Sequence, residues 1–157
     1  MNVNDAMVTN VFTCTPDAKM DSVARMMWDN DCGSIPVVDE ANIPVGIITD
    51  RDIAMGSALQ HKPLWDITAQ SICNHRQLYS CKMTDDIHKA VDIMKAHSVR
   101  RLLVTDRKGR LAGIVSLGDI LACTDAANGA GLKFGEMAGM LKAVSAHHTL
   151  PRLSGPI

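Results

Sequence analysis

Thr49-Asp50-Arg51-Asp52 and Ser116-Leu117-Gly118-Asp119 each place a hydroxyl and a carboxylate three residues apart at the end of an apolar run. That spacing is a short form of the helix capping box, in which each side chain bonds the other residue's backbone amide. A second reading asks more of the same residues: each copy helps to hold a ligand. Other residues with chemistry are less organised. Cys73-Asn74-His75 and His147-His148 have metal-ligating types, but no third and fourth ligands stand at a convincing spacing. The five cysteines, 14, 32, 73, 81 and 123, are an odd number without a CxxC pair. Reduced, mostly buried thiols are therefore expected. Methionines 20, 26, 27, 55, 83 and 94 fall at helical spacing with Val and Ala, which makes them core fillers rather than metal or heme ligands. No trio of nucleophile, base and orienting group and no Walker loop is present, so the chain reads as a non-enzyme.

The two tetrads belong to a longer repeat. Residues 46 to 52 read GIITDRD and residues 113 to 119 read GIVSLGD, an offset of 67 that aligns residues 11 to 54 with the later copy without a gap. Cys14 matches Cys81, Met27 matches Met94, Val37 matches Val104, Asp39 matches Asp106 and Ile53 matches Ile120. The apolar pattern persists where letters differ. Met20, Val23, Ala24 and Met27 stand at i, i+3, i+4, i+7, as do Ile87, Ala90, Val91 and Met94, which marks an amphipathic helix in each copy. Thr15-Pro16 reads as the start of the first of these helices, with Thr as cap and Pro preset for the first turn.

Each helix is followed by an apolar run, IPVVD or LLVTD, a polar turn with Asn42 and Pro44 or Lys108 and Gly109, and a second run, VGIIT or AGIVS. Two runs around a short turn predict a hairpin, and the hydroxyl ending the second opens another helix. The expected fold class is α/β in the α+β sense: two tandem β-α-β-β-α repeats docked with pseudo-two-fold symmetry, with a helical tail. One copy of about 55 residues would struggle to bury enough apolar surface alone. The expected division is 1–60 for the first repeat, 61–124 for a crossover around Pro63 and Trp65 plus the second repeat, and 125–157 for an extension. In that extension ANGAG is a loop, residues 132–148 make one helix weakened by Gly135 and Gly139, and residues 149–157 are a mobile tail.

Composition narrows the function classes. Sixteen Lys and Arg against 17 Asp and Glu produce no field of one sign, so neither nucleic acid nor an anionic membrane is an expected partner. Trp28, Trp65, Tyr79, Phe12 and Phe134 are the whole aromatic complement, too few for stacking platforms along single-stranded nucleic acid. The opening MNVNDAMVTNVF lacks a basic start before an apolar core, and no apolar run approaches about 20 residues. A soluble, cytoplasmic protein is expected.

A duplicated unit of this order, with TPDAKMDSVARMMWDNDCGSIPVVDEANIPVGIITDRDIA in the first copy and MTDDIHKAVDIMKAHSVRRLLVTDRKGRLAGIVSLGDILA in the second, resembles the CBS domain. The tandem pair resembles a Bateman module over residues 1–124. The resemblance implies a regulatory module that binds adenosine nucleotides (AMP, ADP or ATP, in some members NAD or S-adenosylmethionine) between the repeats and passes the ligand state to a regulated protein. It implies that Asp52 and Asp119 accept hydrogen bonds from ribose hydroxyls. Thr49 and Ser116 would lie where a helix N-terminus meets ribose and phosphate. Ile47, Ile114, Cys32 and Val99 would form walls around adenine, which makes Cys32 the cysteine closest to a ligand. Arg51, Arg100 and Arg101 would meet phosphate, for which guanidinium geometry is suited. Gly33 and Ser34 align with the Arg pair, Gly118 aligns with Arg51, and Leu103 stands where the family has proline, so unequal pockets are expected. A homodimer in which two modules form a flat disc through their paired helices is also implied. The alternative is a ligand-free dimerisation or scaffold module.

Overall fold

The structure, a computed structural model, describes residues 1–74, 77–126 and 133–145. His75, His147 and His148, the ANGAG segment and residues 149–157 lie outside them. The first repeat runs α1 (Met20–Asp29), β1 (Ser34–Val38), β2 (Pro44–Thr49) and α2 (Asp50–Gln60). After a connecting α3 (Ala69–Cys73), the second runs β3 (Ser80–Lys82), α4 (Ile87–His97), β4 (Arg101–Thr105), β5 (Leu111–Ser116) and α5 (Leu117–Ala126). A last helix, α6 (Phe134–Ser145), follows, starting two residues later than the sequence suggested. None of the described helices is long and apolar enough to cross a membrane.

The offset of 67 survives as geometry. β1 and β2 pair antiparallel with Ser34 opposite Thr49, β4 and β5 with Arg101 opposite Ser116, and both hairpins slip register one step before the turn. In the turns, Asp39 Oδ1 accepts from the amides of Ala41 and Ile43, and Asp106 Oδ1 from those of Lys108 and Arg110. Asn42 and Gly109, again equivalent, take the left-handed conformation at φ 61° and 81°, which Asn and Gly tolerate best. The helical stripes face inward as expected: Met20, Val23 and Met27 are buried in one core, and Ile87, Ala90, Val91 and Met94 in the other.

The first repeat lacks the leading strand that its sequence suggested. β3 lies parallel to β4, whereas its counterpart makes a single bridge, Cys14 to Val37. Backbone donors explain the difference. In the second repeat Leu103 N donates to Tyr79 O and Met83 N to Thr105 O, extending the ladder on both sides of Cys81. The equivalent donors are Pro36 and Pro16, which have no N–H. A further correction concerns the start of α1. Thr15 caps nothing there, and the helix begins at Met20, because Lys19 is held extended in a bridge to Thr68.

Each repeat is completed by the segment that precedes the other. Ile67 and Ala69 are buried in the first core, and Met20 N donates to Ile67 O. Val3 and Ala6 are buried in the second core, and Ile87 N donates to Met1 O. The glycines of the two heptapeptides make room for this exchange. A Cβ on Gly46 would strike the Cys73 side chain, and one on Gly113 would lie 2.5 Å from Val8 O. Leu111 N donates to Asn42 O at 2.8 Å, tying one hairpin to the other.

α6 packs on the second repeat. Met140 and Val144 are buried beside Val91, Met94 and Ile120. His88 Nε2 lies 3.6 Å from Glu136 Oε1, and Arg100 Nε donates to Val144 O at 3.4 Å, so α6 runs parallel to α4.

Candidate functional site

Both tetrads form the cap that their spacing suggested. Asp52 Oδ2 accepts from Thr49 N at 2.9 Å and Thr49 Oγ1 at 2.8 Å, while Asp52 N donates to Thr49 Oγ1 at 3.3 Å. Asp119 Oδ2 accepts from Ser116 N at 2.8 Å and Ser116 Oγ at 2.6 Å, while Asp119 N donates to Ser116 Oγ at 3.2 Å. A carboxylate held by these bonds is fixed in orientation. Asp52 is buried and Asp119 half-buried, each on the first turn of a helix whose amide ends favour negative charge.

Each cap opens into a cleft between the repeats. The first cleft, of about 250 Å³, has Ile47, Thr49 and Asp52 on one side and Val99, Arg101 and Leu103 on the other. The second, of about 360 Å³, has Ile114, Ser116 and Asp119 facing Cys32, Gly33 and Arg101. Nine of the candidate residues are thereby gathered into two groups that follow the pseudo-symmetry. Arg51 is exposed on the first turn of α2 and lines neither cleft. Arg100 is turned to the C-terminal end of α6 instead. Only Arg101 brings a cation to the clefts among their described lining residues, and it lines both. Arg101 reaches Gly33, where a Cβ would lie at ordinary contact distance, 3.7 Å, from Arg101 Nη2.

The reading of single residues did not single out the segments that close the clefts. Gln77, Leu78 and Tyr79 line the first, and Asn10, Val11 and Phe12 the second. These triplets are related by the same offset of 67, so the repeat itself carried the signal, an aromatic residue at equivalent positions. Tyr79 is held by stacking on His97, with ring centroids 4.0 Å apart. Each cleft thus offers a flat ligand an aliphatic wall, an aromatic edge and a fixed carboxylate acceptor.

The thiols divide by burial. Burial pushes Cys14 and Cys81 up to about 11, with Cys73 and Asp17 adding to the first and Asp85 to the second. Both are protonated core groups at neutral pH. Cys32 and Cys73 are half-buried and line the clefts.

Comparison with known proteins places this architecture. The CBS domain model matches residues 3–57 and again 69–124. The CBS domain-containing protein YhcV of Bacillus subtilis is 34% identical over 119 residues, 76% of this chain and 82% of that one. An uncharacterized protein of Methanopyrus kandleri, MK0525, is 30% identical over 121 residues, 77% of this chain but 61% of that one, so this chain spans less than two thirds of its length. Among solved structures, the CBS domain protein PAE2072 from Pyrobaculum aerophilum, complexed with AMP, superimposes with a TM-score of 0.68 at 22% identity, covering 81% of this chain and 100% of that one. The CBS domain pair of protein MJ0100, in complex with 5'-methylthioadenosine and S-adenosyl-L-methionine, has a TM-score of 0.68 at 23% identity, covering 80% and 97%. Two matches to one family model, on two repeats that complete each other's cores, show that the chain belongs to the CBS domain family and carries a tandem pair.

Proposed function

We propose that this CBS pair is a non-catalytic regulatory module that binds an adenine nucleoside or nucleotide between its repeats and passes the bound state to a partner. The observation that carries this reading is the pair of clefts, each uniting a capped carboxylate, an aliphatic wall and an aromatic edge. AMP in one structural neighbour and methylthioadenosine and S-adenosyl-L-methionine in another support it. The Asp52 and Asp119 carboxylates accept from the ribose diol, and a charged acceptor strengthens those bonds. Ile47 with Val99, and Ile114 with Cys32, sandwich the base. Thr49, Ser116 and the helix amides meet the first phosphate.

Arg101 is the phosphate-binding cation of both clefts. One guanidinium cannot pair bidentately with two phosphates at opposite sites, so a nucleotide in one cleft disfavours a second. AMP, ADP, ATP and NAD then compete for one occupied cleft, while a neutral nucleoside or cationic S-adenosylmethionine does not need Arg101 and takes the other. Binding stabilises one relative orientation of the repeats, which is a population shift.

Isothermal calorimetry of AMP, ATP, NAD and adenosine against the full chain tests this. The expected result is one strong nucleotide site that loses affinity in Arg101→Gln, with adenosine unaffected by that change. If none of the ligands binds or raises the melting temperature, the ligand-free scaffold reading replaces this one. The disc-shaped homodimer implied by the resemblance would have to pair through the helices of the first repeat, because α6 lies over α4 of the second.

A further inference from the structure

The two clefts differ in charge although their frames match. Among their described lining residues the first has one carboxylate, Asp52, and the second has two, Asp119 and Asp31, while Arg101 is common to both. Asp31 is the source of the difference. The offset of 67 relates it to Ser98, and both residues take the left-handed conformation, at φ 47° and 51°. The backbone is therefore alike at the two positions, and what differs is the charge that the side chain brings. Asp31 precedes Cys32 of the second cleft, as the uncharged Ser98 precedes Val99 of the first.

Arg101 rests on the more acidic side. Strand pairing sets it opposite Ser116 of the second cleft. Its Nη2 lies 3.7 Å, and Asp50 Oδ2 3.8 Å, from the Cβ position of Gly33, a residue that lines the second cleft and not the first. In this position the guanidinium offsets the carboxylates around the second cleft. A phosphate in the first cleft draws it the other way, which an exposed side chain with a long stem allows. Asp31 and Asp119 then lose that cation, and a positively charged ligand replaces it.

We infer that Asp31 sorts the ligands of the two clefts by charge. The first cleft takes an anionic nucleotide and the second an adenosine derivative of net positive charge, and the move of Arg101 between them makes the first ligand promote the second. The inference rests on the reading of both clefts as sites for adenine compounds. The coupling is reciprocal, so the cationic ligand also promotes the nucleotide. Because Asp31 is exposed, the effect is largest at low ionic strength.

The test is calorimetry of the full chain with S-adenosylmethionine and S-adenosylhomocysteine, which differ by one methyl group and one positive charge, each with and without saturating AMP. S-adenosylmethionine is expected to bind more tightly than its neutral analogue, and AMP to tighten it about fivefold or more, the lower end of ordinary coupling between sites. Asp31→Asn keeps a residue type that tolerates the left-handed conformation and is expected to reduce the preference for the sulfonium. Arg101→Gln is expected to weaken AMP and yet tighten S-adenosylmethionine, opposite signs that a damaged fold would not produce. Equal binding of the two sulfur compounds, an undiminished preference in Asp31→Asn, no gain from AMP, or weaker S-adenosylmethionine binding in Arg101→Gln would overturn the inference. Any of these with adenosine and AMP still bound removes the inference alone. Failure of every adenine compound to bind removes the reading beneath it as well.

Discussion

In the second repeat a three-stranded sheet is backed by a helix pair that α6 covers, whereas the first repeat has a two-stranded hairpin, a lone bridge and an open helix pair. The units share their register, turns and caps, so the difference does not come from the repeat's plan. It comes from single substitutions at positions where the backbone or a surface could go either way. Two prolines remove two donors, and where α4 is followed by Arg100, which meets the end of α6, the first repeat has Gly33. Duplication here preserved the internal frame while letting the outer faces and clefts diverge.

The sharpest break of the shared frame targets the exchanged segments. Gly113→Ala places a Cβ 2.5 Å from a backbone oxygen, while Gly46→Ala meets a side chain. Overpacking of this kind costs about 3 kcal/mol where nothing yields and less where a rotamer can move. Urea denaturation is expected to show Gly113→Ala as the larger loss; equal losses would mean that Cys73 is as rigid as the Val8 backbone. The phosphate cation comes next. Arg101→Gln is expected to weaken AMP about tenfold or more, the scale of a lost charged hydrogen bond. Asp52→Asn and Asp119→Asn should each weaken adenosine, which does not need Arg101, in one cleft alone, as calorimetry with both variants would reveal. If each Asn variant weakened both sites, the clefts would not be separate.

The prolines offer a smaller and reciprocal test. Pro36→Leu restores a donor to Phe12 O and is expected to stabilise the chain by about 1 kcal/mol. Leu103→Pro should cost at least as much by removing the Tyr79 contact. Thermal melting of the two variants with opposite signs would confirm that donors, not side chains, set the strand. The smallest effect concerns pH. The bond from the Arg110 backbone above all, with its side chain and the Lys108 amide, holds Asp106 below the ordinary carboxyl value of 3.8 against the opposing effect of desolvation. Its folded pKa is depressed, so its contribution is present above 3.8 and is lost as pH falls below it. Melting temperature against pH should fall slightly less steeply in Asp106→Asn between pH 5 and about 3.

Much of the fold was legible because its signals are local. Met20, Val23 and Met27 announce a buried helix face by period, and Thr49 with Asp52 announces a cap that the folded chain forms. The two corrections also had local signals. Pro16 and Pro36 stand in the sequence, and their missing donors were sufficient to predict a bridge in place of a strand. The start of α1 was not legible, since Lys19 is held extended by Thr68 from the crossover. In the clefts, Ile47 with Val99 and Ile114 with Cys32 were expected from the family resemblance, but the closing aromatics Tyr79 and Phe12 were visible only once the offset was applied to them.

The amino-acid sequence alone determined the duplication, the order of the elements, the capped carboxylates and the left-handed turn positions at Asn42 and Gly109. Each depends on residues a few positions apart, whose sterics and hydrogen bonds need no distant partner. Only the tertiary structure decided which segment completes which core, where α6 lies and what becomes of the two adjacent arginines. Arg100 and Arg101 are chemically alike, but at a strand entry neighbouring side chains leave on opposite sides. Docking of the repeats turned one to α6 and the other into both clefts.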